Sequence, residues 1–161
     1  MDAPTPPDRL THVDETGAAR MVDVGDKPVT ARTASATGRV LVSPIVIELL
    51  RGEGVPKGDA IAVARVAGIM GAKRTPDLVP LCHPIGLSGV TVDLVVDDEG
   101  VAVTATARTA DRTGVEMEAL TAVTIACLTL VDMTKAVDPR AVIGSIRVEA
   151  KTGGKKGDWT R

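Results

Sequence analysis

Residues 90–108 read VTVDLVVDDEGVAVTATAR, and their pattern decides the fold. Val90, Val92, Leu94 and Val96 alternate with a second, more polar set, so one face of a strand is apolar. Residues 101–108 (VAVTATAR) alternate again. DDEG between them places Gly100 where a tight turn tolerates positive φ. The result is an antiparallel hairpin with one face to be covered. The next segment supplies the cover. Gly114 to Lys135, GVEMEALTAVTIACLTLVDMTK, reads as one long helix with an apolar middle. That middle, Ala119 to Val131, spans roughly 13 residues against the ~20 that a membrane crossing needs, so it is expected to be a core helix. Thr113-Gly114-Val115-Glu116 has the spacing of a capping box, which gives Glu116 a structural reading in which it reaches back to the Thr113 amide. Glu118 has no such structural role. Asp138-Pro139 ends the helix.

Working toward the N-terminus, residues 28–42 are rich in β-branched side chains and predict a strand. Ser43-Pro44 then offers a helix cap and a first-turn proline, and the short helix IVIELL ends at Gly52. The loop GEGVPKG carries Lys57. A second helix is predicted from about Gly58 to Arg74, with Ile61, Ala64, Gly68 and Ile69 at helical spacing and Val66 less well placed. Gly68 and Gly71 admit another backbone closely, at some cost in helix propensity. TPDLVPLCHPIGLSG reads as a loop in which Pro80 and Pro84 stiffen Leu81-Cys82-His83. His12, by contrast, reads as a surface loop residue. Toward the C-terminus, residues 142–150 predict a last strand, with Ile146, Val148 and Ala150 inward and Arg147, Glu149 and Lys151 outward. The order strand, broken helix, strand, strand, helix, strand is the split βαβ pattern. The expected class is α+β, ferredoxin-like βαββαβ, an antiparallel sheet with helices on one face. Residues 1–9, Pro-rich and acidic, read as a disordered tail, and residues 10–161 as one domain.

Composition narrows the function. The chain has 161 residues, a net charge of −2, one Trp and neither Phe nor Tyr. Without a basic field or stacking platforms, nucleic acid is a poor partner. No secretory signal or spanning helix is read, so a cytoplasmic protein away from the membrane is expected. Cys82 and Cys127 have no metal or redox spacing, and Cys127 falls in the apolar helix as a small hydrophobe. Two histidines without carboxylates at ligand spacing argue against a dedicated metal site. GGKKGD near the C-terminus lacks the spacing of a phosphate-binding P-loop.

The chemistry-bearing residues sit at the ends of the long helix. Asp132 and Lys135, three apart, share one face. Read plainly they are a helical ion pair. Next to an apolar run, they are also a carboxylate and an amine tuned against each other for proton transfer. Glu118 and Asp132 are separated by roughly 21 Å along the axis, too far for one small-molecule site in one chain. One end alone is functional, or there are two sites, or a second subunit brings opposite ends together. Basic residues at element ends, Arg32, Lys57, Lys73 and Lys151 among them, suit phosphates.

The segments KGDAIAVARVAGIMGAKRTPDLVPLCHP, DRTGVEMEALTAV and DMTKAV, with MVDV upstream and AKTGGKKG downstream, closely resemble the cyclic pyranopterin monophosphate synthases, the C proteins of molybdenum cofactor biosynthesis. The resemblance runs from about Leu10 to Trp159. It implies conversion of 3′,8-cyclo-7,8-dihydro-GTP to cyclic pyranopterin monophosphate with release of pyrophosphate, a lyase reaction without a cofactor. It implies a homo-hexamer, a trimer of dimers, with sites at subunit interfaces. By motif, Asp132, Lys135 and Lys57 correspond to catalytic residues. Leu81, Cys82, His83, Met117 and Glu118 correspond to substrate-binding positions, as do Glu116, Arg32 and Lys151. The family often has Tyr where Val131 stands and sometimes Lys where Arg112 stands. Rival readings are a catalytically weak paralogue, a non-catalytic nucleotide- or pterin-sensing module, which predicts tight binding without chemical change, and an RNA-binding split βαβ domain, which predicts exposed aromatics that both hairpin strands lack.

Overall fold

The computed structural model describes residues 10–52, 59–155 and 157–161. The expected N-terminal tail, Lys57 and the predicted start of the second helix at Gly58 lie outside them. Along the chain come β1 (Thr30–Leu41), α1 (Pro44–Arg51), α2 (Ala60–Lys73), α3 (Thr75–Leu78), β2 (Leu87–Val96), β3 (Gly100–Asp111), α4 (Glu116–Thr134), β4 (Val142–Thr152) and β5 (Trp159–Thr160). The sheet order is β2-β3-β1-β4-β5, and every pairing is antiparallel. The fold is α+β and ferredoxin-like, as the patterning predicts. The one-turn helix α3, inside the segment read as a loop, and the short edge strand β5 are additions.

β1 is central because it is long and small-sided. It pairs with β3 from Thr30↔Asp111 to Leu41↔Gly100, and its alternate residues Ala34, Ala36 and Val40 are buried against the helices. Val92 of β2 and Val101, Val103, Ala105 and Ala107 of β3 complete that face. A core without Phe or Tyr must gain its density from close approach. A Cβ on Gly38 would lie 2.6 Å from Val123 Cγ1, and one on Gly68 would lie 2.9 Å from the Ala122 carbonyl oxygen. These glycines let α4 sit on β1 and α2 sit on α4. Val66, off the expected stripe, is exposed.

α4 passes by length and composition for a membrane span, but 56% of its most apolar window is buried inside the fold. Its threonines are silenced locally. Thr121, Thr124, Thr129 and Thr134 each donate to the carbonyl four residues earlier, at 2.7–2.8 Å, so no hydroxyl competes with the packing. Cys127 is fully buried, and burial pushes its thiol up to about 11.

Three local expectations are corrected. The capping box is absent: α4 starts at Glu116 after Val115, without a side-chain cap. Ser43 occupies the cap position of α1 but its side chain makes no cap bond; instead its backbone N–H donates to Asp138 Oδ2 at 2.7 Å. The third concerns β4. Its register with β1 runs Ala34↔Lys151, Ser35↔Ala150, then Ala36↔Val148, so Glu149 is an extra residue. Such a bulge puts two successive side chains on one face and reverses the parity beyond it. Arg147 and Glu149 stay on the open face, where Glu149 accepts from Thr37 Oγ1 at 2.6 Å. Lys151, opposite buried Ala34, is turned to the helix side rather than outward.

Candidate active site

The reversed Lys151 meets the first turn of α4. Its Nζ donates to Glu116 Oε1 at 2.9 Å. A charge-assisted bond across the fold has replaced the local cap. Two residues on, Glu118 is 3% exposed. Burial, with a smaller push from the Glu116 charge, raises its carboxyl to about 7, although its own backbone N–H works against the shift. A carboxyl poised there is suited to exchange a proton at neutral pH. Cys82 faces the same environment: burial first, then the Glu118 charge, raises its thiol.

Pro80 and Pro84 flank the tripeptide as predicted, and its histidine is oriented from outside. His83 Nε2 lies 2.7 Å from the Val22 carbonyl oxygen. A carbonyl only accepts, so Nε2 carries a hydrogen, and in the neutral ring Nδ1 holds the lone pair. Arg32, at the start of β1, donates from Nε to the Asp111 carbonyl at 3.0 Å and from Nη2 to the Arg112 carbonyl at 3.2 Å. Carbonyls orient the guanidinium without cancelling its charge.

These groups line one cleft of about 480 Å³, a volume suited to a nucleotide-sized molecule. Arg32, Leu81, Cys82, His83, Glu116, Met117, Glu118 and Lys151 are all on its wall. Sequence reading did not single out as site residues Thr11, His12, Val22, Val24 and Lys27 from the segment before β1, Arg112, Thr113 and Gly114 before α4, or Gly153 and Gly154 after β4; Lys155, one of the basic residues at element ends that suit phosphates, joins them. His12, read as a surface residue, is exposed but sits on the cleft wall, its Nδ1 3.3 Å from the Arg20 carbonyl oxygen. Two histidines of opposite reading thus meet in one place.

The other end of α4 is elsewhere. Asp132 and Lys135 pair at 2.8 Å, with side chains 56% and 58% exposed. Neither residue lines the cleft, nor does Lys73. Lys57 lies outside the described residues.

A ferredoxin-like domain with a cation-rich, nucleotide-sized cleft and a neutral-pH carboxyl defines a small-molecule enzyme class rather than a particular reaction. Comparison with known proteins supplies the particular. The MoaC family profile matches residues 21–154. A cyclic pyranopterin monophosphate synthase of Streptomyces coelicolor is 74% identical over 156 residues, covering 97% of this chain and 92% of the relative. One from Parvibaculum lavamentivorans is 58% identical, covering 94% and 96%. The cyclic pyranopterin monophosphate synthase 2 of Mycobacterium tuberculosis is 59% identical, covering 94% and 91%. The chain belongs to the MoaC family.

Proposed function

We propose that this chain is the lyase that converts 3′,8-cyclo-7,8-dihydro-GTP to cyclic pyranopterin monophosphate and pyrophosphate. The observation that carries the reading is convergence. Eight residues singled out by motif, from four separate parts of the chain, meet on one cleft wall. Arg32 and Lys151 are placed to neutralise the triphosphate and the charge that builds on departing pyrophosphate. His83 and Glu118 orient the purine-derived ring and exchange protons with it as it opens and re-closes. Asp132, Lys135 and Lys57 complete the acid–base set.

That set includes groups roughly 21 Å from Glu118 along α4, which one molecule of substrate cannot span. We therefore assign them to a neighbouring copy of the chain, in a homo-hexamer built as a trimer of dimers. Supporting this, α2 carries an exposed apolar stripe of Val63, Val66 and Met70, and Leu128 is exposed on α4; such apolar surface favours association. We place the protein in the cytoplasm: among the described residues, the one helix apolar and long enough to cross a membrane is more than half buried in the fold, and both cysteines are free thiols.

The test is incubation with the cyclised GTP intermediate, followed by assays for pterin and pyrophosphate. Both products should appear in equal amounts. Tight binding with neither product would favour the sensing module instead.

A further inference from the structure

Gly153, Gly154, Gly157 and Asp158 lie between β4 and β5, in a stretch whose spacing is not that of a P-loop. Their geometry gives them another task. Gly153, Gly154 and Gly157 have φ of +82°, +83° and +70°, a left-handed path that other residues adopt only under strain. The turn is fastened twice. Gly153 N–H donates to Asp158 Oδ1 at 2.9 Å, and Gly157 N–H donates to the Gly154 carbonyl at 3.1 Å.

Gly153 and Gly154 lie close against the strand that carries Arg32. A Cβ on Gly153 would come 2.3 Å from the Ala31 carbonyl oxygen, and one on Gly154 would come 2.3 Å from Arg32 Nη1. Arg32 is thus held on two edges by the Asp111 and Arg112 carbonyls and flanked by bare backbone at Gly154. Gly153 and Gly154 line the cleft; Asp158 does not.

We propose that Asp158 is a positioning residue for anion binding: by holding the Gly153 N–H it keeps the glycine turn against Arg32 and fixes that guanidinium toward the polyphosphate of the substrate. This rests on the reading of the cleft as a triphosphate site. Asp158 acts through Gly153 and Arg32 and touches no reacting atom.

The experiment compares Asp158→Ala, Asp158→Asn and Gly154→Ala with wild type, by steady-state turnover of the cyclised GTP intermediate and by calorimetric titration of inorganic triphosphate. Losing an anchor to a charged acceptor should raise KM by about ten-fold and leave kcat within about two-fold. Triphosphate affinity should fall by a similar factor. Asp158→Asn keeps an acceptor oxygen and should recover most of the loss. Gly154→Ala keeps Asp158 but pushes the guanidinium aside, and should weaken triphosphate as Arg32→Ala does. Unchanged KM and triphosphate affinity in Asp158→Ala, or a fall in kcat alone, would overturn the proposal. A wild-type chain that makes neither product would overturn the reading of the reaction instead; the triphosphate titration needs no turnover and still judges Asp158.

Discussion

The two ends of α4 carry the same kinds of residue in opposite surroundings. At the N-terminal end Glu116 and Glu118 are walled in: one is bonded to Lys151, and the other is buried and raised to about 7. At the C-terminal end Asp132 and Lys135 form an ion pair more than half exposed. The first end is finished within one chain. The second, among the described residues, leaves more than half of each side chain open to solvent. A carboxylate in water has an ordinary basicity and little power over a reaction; it gains both when its surroundings are fixed and dry. Under the proposed oligomer, the contrast locates the surface that a neighbouring subunit would cover.

The sharpest break of that contrast is a complementation experiment. Asp132→Asn should keep binding in the cleft and lose at least ~100-fold in turnover, the loss of a general acid–base group. Lys151→Ala should fail at the other end. If both ends serve one pocket across a two-fold interface, mixing the two variants restores a complete site in each mixed dimer, and about a quarter of wild-type activity returns. Recovery measured after co-refolding tests this directly. No recovery, with mixed oligomers demonstrated, would mean that each chain uses its own two ends separately.

The next effect is on stability and belongs to the walled end. The folded pKa of Glu118 is raised to about 7 from 4.5, so between those values the folded state binds more protons than the unfolded one. Stability then falls as pH rises through this window and levels off above it. The size is up to roughly 3 kcal/mol at 1.36 kcal/mol per unit. Denaturant midpoints at pH 5 and pH 8 should therefore differ more in wild type than in Glu118→Gln, which has no charge to bury. An equal difference in both proteins would remove Glu118 from the list of buried titrating groups.

Much of this was legible beforehand, and what was not has identifiable causes. The strands β2 and β3 and the helix α4 follow from period-two and helical patterns because one face of each is buried. The glycines Gly68 and Gly71 announced close packing, and the structure places Ile125 against the second of them. The inward turn of Lys151 could not be read, because alternation assumes an unbroken register and the bulge at Glu149 is written in no local pattern. The capping box misled for a related reason: a tertiary cation outcompeted a local amide for Glu116. His12 is exposed as expected, and its place on the cleft wall was not legible because its segment is irregular and reaches the cleft by backbone contacts such as the Val22 carbonyl to His83. The site residues themselves came from family resemblance; periodicity alone assembled no cleft.

A substitution between the two ends probes how rigidly they are connected. Gly68→Ala improves helix propensity by about 1 kcal/mol. It also forces a methyl to within 2.9 Å of the Ala122 carbonyl, which is backbone and cannot rotate away. Overpacking of this kind costs about 1–3 kcal/mol, so the net expectation is a less stable chain. A thermal melt that rises would show that α2 and α4 are less closely joined than their glycines imply.

The smallest expected effect is also the most diagnostic of the open end. Lys135→Met removes an ion pair whose members are more than half exposed. Exposed pairs contribute about 0–1 kcal/mol, so chemical denaturation of the variant should nearly superimpose on wild type. Lys151→Met, which strands Glu116 beside the buried Glu118, should cost visibly more. If Lys135 serves catalysis across a subunit boundary, its loss is felt in turnover and not in folding. A large loss of stability in Lys135→Met, measured at a dilution where the chain is monomeric, would mean that this end is already walled within a single chain. The asymmetry that assigns Asp132 to a neighbour's pocket would then be lost.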